Sequence, residues 1–346
     1  ANDSGLFRAV DTLHDQAFER DGTDWVSADG EQRYVPLYEA KMIHHFDHRW
    51  ATYGDGQVVH EEGVRDTTPA EKADPGFEPQ PRYWVPEAEV RLRAARVSSG
   101  LKSAVRDGET AKALKALAEH VAAAWPAVHG RGARGDDLIR TLGRGQAWTE
   151  ALGATPDAWL RRPATQKGLA QRQRKTPLDA DSLRALAEAP PDPLAKAALL
   201  VDCKQPRWLM GWRDIALHSV ERTVIATVFP KVGIGHKLPL VFGTHESRRA
   251  ACLLAIWTSL IFDFVARQKL GSTSLTYFYL KQFPALTPDD FSAKDLDFIT
   301  PRVLELTYTS HAMRPWAEDL GHAAPPFAWD PARRAQLRAE LDGFMA

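Results

Sequence analysis

The chain has 346 residues, 44 of them basic and 45 acidic, for a net charge of −1. Its 44% hydrophobic and 26% charged fractions exclude bulk disorder, and its length predicts two or three domains. Two cysteines, Cys203 and Cys252, exclude a disulfide scaffold, and the longest apolar run, residues 250–262, is shorter than the roughly 20 residues of a membrane span.

The opening Ala1-Asn2-Asp3-Ser4 is polar and acidic, unlike a signal peptide, so a cytoplasmic protein with no membrane partner is expected. Turn signals at Asp21-Gly22 and Asp29-Gly30 precede a predicted strand over 33–38. Residues 39–50 read as a histidine-rich helical turn or two. Residues 54–82 are punctuated by glycine and proline and read as loop. A short strand at 83–85 leads into a helix over 87–97. Residues 101–128 have a helical period, with Leu114, Leu117, Val121 and Trp125 near one face. Helices over 138–152, 159–171 and 182–201 follow. Strands are predicted at 208–211, 223–229, 238–242 and 275–280. Between the last two, residues 246–270 read as one long helix with Thr244 as N-cap. The tail over 290–346 reads as helical, with Asp330 capping a helix whose first residue is Pro331.

The near-zero net charge hides a pattern. Residues 1–100 carry a net of −8, 101–200 of +5, 201–285 of +6 and 286–346 of −4. A phosphate backbone feels local charge within a Debye length, so the two central basic segments point to nucleic acid. Arg213, Arg222, Lys231, His236, Lys237, Arg267, Lys269 and Lys281 are spread among strands and loops. Arginine can fork to guanine or phosphate, and lysine reaches phosphate as a point charge. Ser272 and Thr273, in the loop after the long helix, add hydroxyls that suit a closely approached phosphate. For each residue alone a solvated surface role explains as much; the grouping carries the signal. Ion pairs Arg213–Glu221 and Asp214–Arg222 are the structural alternative.

Catalytic signatures are absent from the sequence: there is no Gly-x-Gly-x-x-Gly, Walker loop, Gly-x-Ser-x-Gly, Cys-x-x-Cys or Asn-Pro-Pro-aromatic motif. His44, Asp47 and His48 are the one metal-like grouping, a weaker reading as a metal-dependent hydrolase. A protein-interaction scaffold, with a basic helical segment docking an acidic partner, is the other alternative.

Several stretches resemble one family. Residues 36–50, ending His44-His45-Phe46-Asp47-His48-Arg49-Trp50, are similar to the segment that follows the catalytic domain in large adenine-specific DNA methylases. These include type IIG restriction–modification enzymes and the methylases of phage-defence systems of the BREX and DISARM types. Arg82-Tyr83-Trp84-Val85, Trp208-Leu209-Met210-Gly211-Trp212-Arg213-Asp214-Ile215 and the block over 262–273 continue the likeness in the family's order, as do residues 280–284 and the tail around Pro325-Pro326-Phe327. The resemblance implies an α+β fold: a mixed-sheet target recognition domain like the specificity subunits of type I systems. It would be discontinuous, over 1–97 and 206–286, with a helical insertion at 98–205 and a helical C-terminal segment at 287–346. The implied partner is double-stranded DNA, with other defence-system proteins beside it. The implied role is sequence-specific reading for an N6-adenine methyltransferase whose catalytic domain, with its S-adenosylmethionine, is expected outside this chain. No cofactor or catalytic residue is expected within it. Ser274 and Thr276 stand where relatives often carry His and Asn.

Overall fold

The computed structural model describes residues 3–54, 63–129, 141–142, 145–175, 178–216, 221–243, 246–271 and 273–346. The fold is α+β, with many helices and small, mainly antiparallel sheets. Ten strands lie among the described residues: β1 (Glu19–Asp21), β2 (Asp24–Val26), β3 (Arg33–Tyr38), β4 (Ala51–Tyr53), β5 (Val64–Asp66), β6 (Trp84–Pro86), β7 (Trp208–Trp212), β8 (Ala226–Pro230), β9 (Gly233–Ile234) and β10 (Leu240–Val241). Two compact units divide the chain, residues 1–87 with 207–346, and residues 88–206.

In the first unit, β1-β2-β3-β6 form an antiparallel path, and β9 joins β3 in parallel with Leu37 opposite Gly233. The glycine is required there: a Cβ at residue 233 would meet Val85 Cγ2 at 2.4 Å. A second sheet, β10-β7-β8, pairs Leu209 with Phe229 and Gly211 with both Thr227 and Leu240. Strands β4 and β5 form a separate hairpin pair. The main core lies beside the second sheet. It joins Trp212 and Val228 to Leu254, Ile299, Val303, Trp316 and Leu337 from the helices Ser247–Thr258, Ala293–Thr307, Arg314–Asp319 and Pro331–Met345. The tail over 287–346 thus shares its core with 206–286, with no break in packing at 286.

The predicted strands at 33–38, 83–85, 208–211 and within 223–229 and 238–242 form, as does the Asp330-capped last helix. Several expectations are corrected. Residues 39–50 hold only a 3-10 turn, Ala40–Met42, because the following segment folds back through a His44–Asp47 bridge. The long helix is broken at Ser259, which ends Ser247–Thr258 and caps Leu260–Lys269 by accepting from Phe262 N at 3.2 Å; the two pieces bend by 58°. Thr244 lies outside the described residues. Residues 275–280 form no strand: the short helix Tyr277–Leu280 stands there, since the Leu275 carbonyl is taken by Trp212 Nε1 at 2.7 Å and the chain turns on Thr276. The stretch over 54–82 also holds β5 and the helix Pro69–Ala73, started by a capping box between Thr68 and Glu71.

The second unit is helical. Its described helices are Glu87–Ala94, which begins at the boundary, then Ser99–Asp107, Thr110–His129, Gly145–Leu152, Pro156–Leu160, Pro163–Lys175, Ala180–Glu188 and Pro193–Cys203. Gly108, at a φ of 69°, turns the chain between Ser99–Asp107 and Thr110–His129. Thr155, Asp179 and Asp192 cap three later helices. Leu101, Leu117, Val121, Leu186 and Leu200 fill its core. Among the described residues no single helix is long and apolar enough to cross a membrane.

Candidate nucleic-acid interface

Three segments of the first unit meet at one end of β7. Asp214 N donates to Lys237 O at 2.9 Å, and Ala216 N donates to Thr273 O at 3.1 Å. Leu275 N donates to Asp214 O at 2.6 Å, and Ile215 bridges Ser274. Residues 213–216, 235–239 and 273–275 are thereby held as one edge by their own backbones. The helix Tyr277–Leu280 follows directly. Tyr277 OH reaches Leu240 O at 2.7 Å, its ring packs edge-on against Trp212, and Leu280 is buried.

The predicted site residues separate into two groups. Arg213, Arg222, Lys237 and Arg267 are held by internal partners. Arg213 Nε donates to Ile43 O at 2.8 Å, with Lys41 O close by, and burial pushes its pKa down to about 10. Arg222 is largely buried, with Nη2 3.7 Å from Asp342. Lys237 pairs with Asp214 at 2.8 Å. Arg267 pairs with Asp263 at 2.8 Å and donates to Glu221 O. Asp263 in turn accepts from the backbone of Thr223 and Val224. These four shape the scaffold; neither predicted ion pair, Arg213–Glu221 nor Asp214–Arg222, forms among the described residues, because Arg213, Asp214 and Arg222 turn to Ile43 O, Lys237 and Asp342.

The other group faces solvent. His236, Lys269, Thr273 and Lys281 are exposed and Lys231 is half-buried. Ser272 lies outside the described residues. Thr273 and His236 lie on the edge and Lys281 ends the helix that follows it, whereas Lys231 follows Pro230, which pairs with Trp208 at the other end of β7; exposed apolar side chains that the charge pattern does not mark stand here too. Phe278 is 72% exposed and Ile215 55%, with Tyr277 and Phe242 also open. The signal was the aromatic run Tyr277-Phe278-Tyr279, within the stretch that the sequence reads as a strand.

The histidine grouping has another explanation. Asp47 accepts from Arg49 N at 2.9 Å and pairs with Lys72, while His48 Nε2 sits 3.2 Å from Ser310 Oγ and 3.4 Å from Glu78 Oε2. His44 packs on the Trp50 ring at 4.3 Å, and burial with Arg213 nearby pushes its pKa down to about 4. Arg49 is fully buried and donates to the carbonyls of Lys72, Asp74, Phe77 and Thr309. The Trp329 ring lies between the Lys72 ammonium at 4.5 Å and the Arg334 guanidinium at 3.7 Å. His44, Asp47 and His48 thus turn to different partners. Among the described residues no three His, Cys, Asp or Glu side chains come together as a metal site would need. The motif ties residues 44–50 to the tail.

No family model, curated protein or solved structure matches this chain.

Proposed function

We propose that this chain is the DNA target recognition region of an adenine-specific DNA methylase, of a restriction–modification or phage-defence system, and that its role is to grip and read duplex DNA. The carrying observation is the edge at the end of β7, where backbone hydrogen bonds lace 213–216, 235–239 and 273–275 together beside exposed Thr273, His236, Lys281 and Phe278. Lysines near such an edge give sequence-independent attraction, while its hydroxyl and aromatic groups can touch bases. Within those segments the single carboxylate, Asp214, is already held by Lys237, so the edge presents little to repel phosphate. On this reading the sheet regions belong to a domain of the type I specificity-subunit kind. Methyl transfer to adenine N6 belongs to a catalytic domain carrying S-adenosylmethionine; this sequence has no glycine-rich cofactor loop. The protein works in the cytoplasm on chromosomal or invading DNA.

Duplex binding by the full chain, measured by fluorescence anisotropy across a salt series, tests the reading. Binding that weakens steeply with salt supports it, and absence of binding at low salt refutes it. Sequencing methylated sites in cells that carry the parent gene would then give the recognised bases. One observation favours a second reading, a protein-docking scaffold: Leu260, Ile261 and Phe264 are all exposed on the helix Leu260–Lys269. Tight binding of a partner protein without DNA would favour that alternative.

A further inference from the structure

Among the described residues Phe278 is the most exposed of the large hydrophobic side chains, yet its helix is anchored on both sides. Tyr277 before it is pinned to Leu240 O and to the Trp212 ring, and Leu280 after it is buried. Its own ring touches Tyr279 edge-on, with centroids 5.7 Å apart. A side chain on a loose loop can fold down to escape water; this backbone holds Phe278 outward. Ile215 stands on the same edge, bridged to Ser274 four residues before Phe278. Lys281 follows Phe278 by three residues and is exposed, with no partner among the described residues. An aromatic tip flanked by an exposed cation suits a polyanion with an apolar interior.

We propose that Phe278, supported by Ile215, is a wedge that enters the base stack of duplex DNA while Lys281 holds the adjoining phosphate. The proposal rests on the DNA-recognition reading and gives it a mode. Apolar wedges at base steps cost unstacking energy and gain contact with a bent or opened duplex. They also fill the space left when a base leaves the helix, which is what chemistry at adenine N6 demands of the duplex. Because unstacking is the cost, a wedge favours DNA in which a base is already missing. That preference is independent of the recognised sequence.

The test uses the full chain and two labelled duplexes of one sequence, one fully paired and one with a central abasic site. The wild-type protein should bind the abasic duplex about tenfold more tightly, within the range for stacking a base on an aromatic ring. Phe278→Ala, an exposed change that leaves the core intact, should abolish the preference, and Phe278→Trp should keep it. Lys281→Gln should weaken both duplexes alike. Equal binding of the two duplexes by the wild type, or a preference that survives Phe278→Ala, would overturn the wedge and leave the DNA reading standing. Failure to bind either duplex at low salt would remove the DNA reading and the wedge with it.

Discussion

The salt dependence of DNA binding can be worked from the structure rather than from charge totals. Six neutralised phosphates, matching the net of +6 over 201–285, would give a slope of log K against log salt near −5, at about −0.9 per phosphate. Yet Arg213, Arg222, Lys237 and Arg267 are occupied inside the protein. Lys231, Lys269 and Lys281 keep no partner among the described residues, which lowers the expected slope to about −2.7. A rise from about 50 to about 200 mM salt should then weaken binding about 40-fold. Lys281→Gln should reduce that factor to about 12-fold, one phosphate fewer, and weaken all sequences alike. Arg213→Gln should leave the slope unchanged. Anisotropy of a labelled duplex over five salt concentrations gives both numbers. A slope near −5 would mean that the paired arginines open to meet DNA, and an unchanged slope in Lys281→Gln would refute the placement of that lysine at a phosphate.

Arg213→Gln should instead lower stability by about 1.5–3 kcal/mol, read as a fall in Tm, because the Ile43 carbonyl loses a charged donor. His44 makes stability depend on pH: its pKa of about 4 in the fold lies below the 6.5 of the free side chain, so the unfolded chain binds the extra proton. Its contribution is complete above pH about 6.5 and lost by about pH 4, roughly 3 kcal/mol, with buried His45 acting in the same direction. Denaturant titrations of wild type and His44→Gln at several pH values should show a shallower acid decline in the variant; identical profiles would refute the assignment. In the second unit, buried Lys196 donates to the carbonyls of Thr141, Leu186 and Ala189, so Lys196→Met should cost about 1–3 kcal/mol by calorimetry. Excising 88–206 with a short linker should leave a folded first unit; loss of its near-ultraviolet aromatic dichroism would show that the two units depend on each other.

How much could be read beforehand depended on whether local pattern and tertiary demand agreed. At 33–38 and 208–211 they do, and strands form where the apolar residues predicted them. The helix break at Ser259 gives little warning, since apolar residues lie on both sides and a serine can sit within a helix. What makes it a break is Asp342, which takes Leu260 N at 2.8 Å from 82 residues away. The aromatic stretch over 275–280 has strand-forming residues, but Trp212 claims the Leu275 carbonyl and redirects the chain. The site was legible by region and not by residue. Charge counting treats Arg213 and Lys281 alike; only the fold brings the Ile43 carbonyl, 170 residues distant, to the first, while among the described residues no partner reaches the second. Phe278 was hidden for the opposite reason, because a hydrophobic side chain is expected inside.

The ends of the helical unit say why it can interrupt the first without spoiling it. Arg96 N donates to Lys204 O at 2.9 Å, Gln205 Nε2 donates to Arg91 O at 2.9 Å, and Arg91 pairs with Asp202. The strand of chain that enters the unit is thus fastened to the one that leaves it. A segment whose ends are adjacent can be placed in a loop of another fold without stretching that fold, which is the usual condition for a tolerated insertion. The sequence boundary at 98–205 cuts inside this clasp: it would remove Lys204 and Gln205 and strand Arg91 and Arg96. The boundary at 88–206 keeps both clasp hydrogen bonds and the Arg91–Asp202 pair whole on one side of the cut. A shortened protein built on the narrower limits should therefore be less stable than one built on the wider limits, although it deletes fewer residues. That ordering would not arise if the helices were merely an elongated surface loop.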